Sequence, residues 1–191
     1  MKSSFWFLTR KFFLALIAIS NYKLTRRLKD RIRGESLIRM FRKQVKQGAI
    51  NLVHKLQLLE AELMSATVKP GKKDDEILQM YESAVVSATR AAFTQDSALA
   101  SYLCFQFITS RNVKSHLARD YFERSIQQWL AWGGAAIANS LLCRHPDMTQ
   151  QSSSSLSASM KDAWARSISG SLRSKPRFDP ALSLQHKVLT V

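Results

Sequence analysis

Residues 74–93 read DDEILQMYESAVVSATRAAF, and this stretch decides the fold class. Its apolar and small side chains recur every three or four positions, at Ile77, Tyr81, Ala84, Val85 and Ala88. That spacing places them on one face of an amphipathic α-helix. The acidic residues that open the stretch favour a helix start, because carboxylates stabilise the positive N-terminal end of the helix dipole.

A matching pattern occurs 41 residues further along the chain. The offsets of four and three that join Ile77, Tyr81 and Ala84 recur in a second set, Ala118, Phe122 and Ser125. In each set a large ring lies between two smaller residues, a pattern that lets one helix pack closely against another. The distance is longer than the roughly 34 residues of a tetratricopeptide unit. The pattern predicts two similar helical hairpins.

The hairpins are expected at residues 51–93 and 96–144. In the first, Pro70 and Gly71 interrupt the chain between two helices, since neither residue continues a helix readily. In the second, we expect the later helix to cover 113–140, with Trp132-Gly133-Gly134 as the point where it can break or kink.

The remaining composition favours an all-α domain. The first 69 residues contain no proline. The sequence also lacks the signals of strands, because it has no Asn-Gly or Asp-Gly hairpin turn and no sustained apolar–polar alternation. With 191 residues, 46% of them hydrophobic, the chain can form one domain with a core. We expect this domain at residues 1–147.

The positive charge belongs mainly to one segment. The formal net charge is +15, and residues 1–50 contribute +11 of it, from 13 Lys and Arg against Asp30 and Glu35. The basicity is therefore not a property of the whole surface.

The first basic helices are expected at residues 5–48, and 5–20 allow three interpretations. The apolar run from Phe12 to Ile19 has eight residues, far fewer than the roughly 20 that span a membrane. It fits a secretory signal, a mitochondrial presequence or a helix that neighbouring helices cover on all sides. We prefer the last interpretation. A membrane-associated or exported protein that uses residues 1–20 is the alternative.

Residues 22–48 predict one basic amphipathic helix. Its apolar stripe consists of Leu24, Leu28, Ile32, Leu37, Met40, Phe41 and Val45. The opposite, cationic face suits a solvated surface, an anionic membrane surface or nucleic acid, or an acidic protein partner. Specific nucleic-acid binding has little support, because aromatic residues are scarce in the segment and no known binding module occurs.

Candidate chemistry is missing from the sequence. No phosphate-binding glycine loop and no HExxH motif occur, and the four histidines are widely scattered. Cys104, within an apolar run, is expected to be a buried hydrophobe, and Cys143 with His145 makes too few ligands for zinc. We therefore predict that the chain is not an enzyme, that it has no catalytic, cofactor-binding or metal-binding residues, and that it uses no cofactor. Two isolated cysteines suit a reducing, cytoplasmic location.

Six short motifs together resemble a known repeat region. They are HKLQLLEAE (54–62), YESA (81–84), FTQDSALA (93–100), ARDYF (118–122), WGG (132–134) and HP (145–146). The chain is similar over residues 5–147 to the tetratricopeptide-like C-terminal region of large signalling ATPases and hybrid histidine kinases. Two residues depart from the family pattern. Gln106 occupies a position where the family has a small residue, and Gly134 occupies one where it has alanine.

The resemblance implies a short solenoid of stacked, antiparallel helical hairpins that holds a protein partner or a neighbouring signalling domain. The kinase and ATPase motifs of the wider family are absent from the sequence, so their activities are not carried over. A Ser-rich linker, a short amphipathic helix and a disordered tail are expected over 148–191. The sequence thus predicts a non-catalytic scaffold segment.

Overall fold

The chain folds as an all-helical protein in the computed structural model, which describes residues 5–150. No strand occurs among these residues. This described part of the chain forms eight α-helices: α1 (Phe5–Thr25), α2 (Leu28–Lys46), α3 (Val53–Thr67), α4 (Asp74–Arg90), α5 (Thr94–Arg111), α6 (Ala118–Ala131), α7 (Ala135–Arg144) and α8 (Pro146–Gln150). Short 3₁₀ turns at Ile50–Leu52 and Ser115–Leu117 precede α3 and α6. The predicted all-α class is confirmed.

The helices pack in the order in which they occur. α1 packs on α2, α3 on α4 and α5 on α6, and each pair is joined by a short connection. Successive pairs also contact each other. α3 contacts both α1 and α2, while α5 contacts α4 and, less extensively, α3. α7 packs on α6. These contacts belong to one compact unit, Met1–Met148.

The predicted core faces of the second helices are confirmed. Ile77, Tyr81 and Ala84 are buried on α4. Their counterparts on α6 are buried as well, and these are Ala118, Phe122 and Ser125. The Ser125 hydroxyl donates a 2.9 Å hydrogen bond to the carbonyl of Ala98 on α5, so this small residue allows a close helix contact.

The single helix predicted over 22–48 is wrong at its start, because the chain breaks at Arg26. Arg26 adopts a left-handed backbone conformation with φ of 58°, which ends α1 one residue earlier. Its guanidinium donates a 2.6 Å hydrogen bond to the carbonyl of Ala66 at the end of α3. A contact distant in sequence therefore accompanies the break, where neither glycine nor proline marks a turn.

The predicted apolar stripe of the basic segment is only partly buried. Leu24, Leu28 and Ile32 are 81%, 65% and 60% exposed. The break after α1 gives the two helices separate orientations, so the stripe does not run continuously across it. The buried residues of α2 are Gly34, Ile38 and Phe41.

The prediction that neighbours cover α1 on all sides is also wrong. Phe12, Ala15 and Ile19 are fully buried, whereas Phe13 and Ile17 are about half exposed. Neighbouring helices cover one side of α1, against α2 and α3. Within residues 5–150, no helix has both the length and the apolar character needed to cross a membrane.

Gly34 allows α1 and α2 to approach closely. A Cβ atom at this position would lie 3.0 Å from Cγ1 of Ile19, closer than most such contacts. We expect Gly34→Leu to lower the free energy of unfolding by about 1–3 kcal/mol, because the added side chain overfills the helix contact. Urea unfolding followed by circular dichroism tests this, with exposed Ser36→Leu on the same helix as the control. Equal midpoints for the two variants would contradict the prediction.

The break predicted at Trp132-Gly133-Gly134 is confirmed. The helix expected over 113–140 is instead divided into α6 and α7. Gly133 has a φ of 89°, and a Cβ on Gly134 would lie 3.2 Å from ring carbons of both Trp129 and Trp132. Two indole rings therefore leave little room for a Cβ atom at position 134.

Of the tail predicted over 148–191, residues 151–191 lie outside the described residues. The Ser-rich linker and the amphipathic helix expected there belong to this part of the chain.

Candidate interaction site

A cleft of about 680 Å³ lies among the C-terminal parts of three helices. Its lining comes from the last turns of α1, α3 and α5 and from the loop that follows α3. The charged and amide side chains in it are Lys23, Arg26, Glu62, Lys69, Gln106 and Arg111. The last carbonyl groups of a helix have no partner within the helix and carry partial negative charge, so cations are favoured at this position.

Arg111 joins two hairpins at the wall of the cleft. Its guanidinium donates hydrogen bonds of 2.6 and 2.7 Å to the carbonyls of Ser65 and Val68 at the end of α3. It also forms a 3.1 Å ion pair with Asp74 at the start of α4. Asp74 accepts a further 2.8 Å hydrogen bond from the amide of Gly71. One side chain of α5 thus fixes the loop that borders the cleft.

Glu62 on α3 connects this helix with α1 and α4. Its carboxylate accepts hydrogen bonds of 2.6 Å from Lys23 on α1 and 2.5 Å from the Tyr81 hydroxyl on α4. Burial, followed by the adjacent Glu62 charge, raises the pKa of Tyr81 well above its usual value, so the phenol stays a donor. Glu62 and Lys23 therefore neutralise each other, and Arg26 and Lys69 are the exposed cations at the cleft.

Gln106 lies on the exposed side of α5. Its side chain is exposed at the cleft, and its amide donates a 3.2 Å hydrogen bond to the hydroxyl of Tyr102. It therefore places an amide group at the surface of the cleft.

A second polar cluster lies in the interior, between the first turns of α3 and α5. The Asp96 carboxylate accepts hydrogen bonds from His54, at 2.8 Å, and from the ammonium of Lys55. The three residues are between 3% and 6% exposed. The Lys55 ammonium also lies 5.0 Å from the ring centre of Phe12, and the ring of His54 stacks on Phe93. The cluster joins α1, α3 and α5.

Opposing effects set the charge of Asp96. Burial by itself raises the pKa of the carboxyl, but the hydrogen bonds from His54 and Lys55 and the lysine charge outweigh it. The net result is a pKa below the usual range, so the carboxylate remains ionised in the folded protein. This interior ion pair was not anticipated from the sequence, where charged residues are expected on the surface.

The two other histidines within residues 5–150 belong to neither site. His116 is exposed in a 3₁₀ turn. His145 lies 3.1 Å from the hydroxyl of Tyr102, and partial burial followed by the charge of Arg144 lowers its pKa. No group of three or more His, Cys, Asp or Glu side chains that could hold a metal ion occurs within residues 5–150.

Cys104 is the buried hydrophobe that its apolar surroundings predict. Its side chain is 0% exposed, and burial raises the pKa of its thiol to about 12. Because the thiolate is the nucleophilic form, this residue is unreactive in the folded protein. Cys143 is exposed, and both cysteines are free thiols.

No protein-family model, no curated protein and no solved structure matches this chain.

Proposed function

We propose that the chain is a non-catalytic scaffold whose cleft binds an acidic, extended segment of a protein partner. The observation that carries this proposal is the cleft itself, which three successive hairpins build from the C-terminal parts of α1, α3 and α5. A surface shared among hairpins is the usual binding surface of helical-repeat proteins.

The order of helix contacts supports a tetratricopeptide-like solenoid as the architecture of this scaffold. The first helices of the three hairpins follow one another in contact, α1 with α3 and α3 with α5. The second helix of one hairpin contacts the first helix of the next, as α2 does with α3 and α4 with α5. Three hairpins reach the minimum of about three units that repeat architectures need for stability.

The lining of the cleft favours an acidic occupant. Of the four cationic side chains that face it, Lys23 is paired with Glu62 and Arg111 with Asp74, so Arg26 and Lys69 are the cations that favour an acidic ligand. Lys69 and Arg26 are exposed. The strongly positive chain would also attract an acidic segment from a distance and increase the rate of association.

The other lining groups favour an extended main chain. The exposed amide of Gln106 offers both a donor and an acceptor to a peptide backbone. Leu103 is half-buried beside it and provides apolar surface for one side chain of the ligand. In line with the resemblance to signalling ATPases, the partner segment would belong to a signalling protein or to a neighbouring signalling domain.

Fluorescence anisotropy with labelled peptides tests the proposal. The purified full chain is titrated against a panel of extended Asp- and Glu-rich peptides with scattered leucines, and against the same peptides with Lys in place of the acids. We expect acidic peptides to bind, and Lys69→Glu to weaken their binding about tenfold, which corresponds to about 1.4 kcal/mol.

The matched control is Arg90→Glu, which makes the same charge change at an exposed position outside the cleft. Its peptide affinity should stay close to that of the wild type. Equal losses in the two variants would mean that net charge, and not the cleft, attracts the peptide. Equal affinity for acidic and basic peptides would also reject the proposal.

A further inference from the structure

A stripe of large apolar side chains runs along the outward face of α1. Trp6, Phe13, Ile17 and Leu24 are 77%, 48%, 55% and 81% exposed. They are separated by seven, four and seven residues, so in a helix with 3.6 residues per turn they lie almost in one line. Clustered exposed apolar side chains of this size mark interaction surfaces in soluble proteins.

The stripe lies opposite the side of α1 that enters the core. Phe12, Ala15 and Ile19 are fully buried, and their helical positions differ from those of Phe13 and Ile17 by about 140° on average. The helices that contact α1, which are α2 and α3, cover the buried side. At Phe13 and Ile17 the apolar face therefore projects away from α2 and α3 as a convex ridge, and its end at Leu24 borders the cleft.

Exposed cations lie on α1, in the turn after it and on α2. Arg10 lies on α1 between Trp6 and Phe13 and is exposed. Beyond the turn, α2 continues with exposed Leu28 and Ile32. The exposed cations of the turn and of α2 include Arg27, Lys29, Arg33, Arg39, Lys43 and Lys46.

Carboxylates neutralise part of this charge, since Glu62 and Glu60 of α3 pair with Lys23 and Arg42. Residues 1–50 have a net charge of +11, with Asp30 and Glu35 as their acids. Glu35 forms an ion pair with Arg31 of the same helix. The N-terminal segment that carries the stripe therefore has a positive charge that attracts a negatively charged surface.

We propose that α1 docks on an anionic lipid bilayer, lying in the plane of its surface with Phe13 and Ile17 entering the boundary between headgroups and acyl chains. Aromatic and aliphatic side chains on one face of an interfacial helix bind in this way, and nearby Lys and Arg are attracted to anionic headgroups. The membrane is bound and not crossed. This proposal does not depend on ligand binding in the cleft.

Two observations favour a bilayer over the other occupants of an apolar face. A second copy on the same stripe would bring two segments of +11 together, and their repulsion opposes such a dimer. A protein partner would need a groove complementary to a convex ridge, whereas lipid adapts to the shape of the helix. Nucleic acid would use the cations but would leave Phe13 and Ile17 in water.

Vesicle co-sedimentation of the full chain tests the proposal. Vesicles of phosphatidylcholine with about one-third phosphatidylserine are compared with vesicles of phosphatidylcholine alone. We expect binding to the anionic vesicles, weakened at high salt, and an about tenfold loss of affinity in the Phe13→Ser/Ile17→Ser double variant. Leu24 is left unchanged because it also lines the cleft.

The matched control removes two exposed apolar side chains elsewhere, in Trp132→Ser/Ile137→Ser, and should bind like the wild type. Circular dichroism checks that each variant is folded. A second variant, Arg33→Gln/Arg39→Gln, changes exposed cations alone and should also bind the anionic vesicles more weakly.

Three results would overturn the proposal. The wild type could fail to bind anionic vesicles, or the Phe13→Ser/Ile17→Ser variant could bind them as well as the wild type does. In the third, sedimentation equilibrium would show a wild-type dimer that this double variant converts to monomers, and a second copy would then be the occupant of the stripe.

Discussion

Asp96→Asn is expected to lower the free energy of unfolding by roughly 3–5 kcal/mol, the usual cost of breaking a buried ion pair from one side. The variant leaves the ammonium of Lys55 in the interior, where its side chain is 5% exposed, without the carboxylate that neutralises it. The rings of Phe12 and Phe93 near this ammonium offer weaker cation–π attraction and do not replace the lost charge.

Urea unfolding followed by circular dichroism measures this loss. Glu60→Gln is the control, because Glu60 forms a 2.6 Å ion pair with Arg42 whose side chain is 51% exposed. Solvent screens that pair, so its loss should cost about 0–1 kcal/mol. Similar losses in Asp96→Asn and Glu60→Gln would show that the buried cluster contributes no more than a surface pair.

The same cluster predicts a pH dependence. The pKa of Asp96 is lower in the folded protein than its usual value of about 3.9. Its contribution to stability is therefore present above about pH 4 and is lost as the pH falls through the folded-state pKa. Wild type should lose stability in acid more steeply than Asp96→Asn does, as measured by urea midpoints between neutral and acidic pH.

Local sequence pattern was sufficient for the helices that bury one clear face. Ile77, Tyr81 and Ala84 are buried as predicted, because a helix with polar residues on its other side has one way to enter a core. The Trp132-Gly133-Gly134 break was also predictable from local sequence. Glycine adopts a positive φ readily, and Gly133 does so here.

The N-terminal region could not be predicted in the same way. When apolar side chains occur all round a helix, as in α1, the pattern does not indicate which side neighbours cover, so the exposure of Phe13 and Ile17 was missed. The break at Arg26 was missed because its left-handed conformation accompanies a hydrogen bond to Ala66, 40 residues away.

The candidate site, like the break at Arg26, depends on contacts between residues that are distant in sequence. Lys23, Arg26 and Arg111 near the ends of α1 and α5 are consistent with the preference of helix C-termini for cations, and that signal was present in the sequence. The convergence of three helix ends into one cleft was not, because it depends on how the hairpins stack. Helix packing therefore connects the stability of the protein to its proposed binding surface.

Arg111→Met tests this connection and is expected to cost about 3 kcal/mol of unfolding free energy. Methionine retains much of the apolar stem but removes the hydrogen bonds to the carbonyls of Ser65 and Val68 and the ion pair with Asp74. The loss should lie at the lower end for a buried pair, because Asp74 still accepts from the amide of Gly71 and lies at the positive start of α4.

Arg111→Lys separates charge from geometry in this prediction. Lysine can neutralise Asp74, but a single ammonium does not reproduce the planar fork that reaches both carbonyls, so an intermediate loss is expected. Arg124→Met is the control, because its ion pair with Glu82 is about 40% exposed on each side and should contribute less than 1 kcal/mol. Urea midpoints decide the order of the three variants. If Arg111→Lys is as stable as the wild type, charge alone holds the loop, and the hydrogen bonds to α3 do not fix the wall of the cleft.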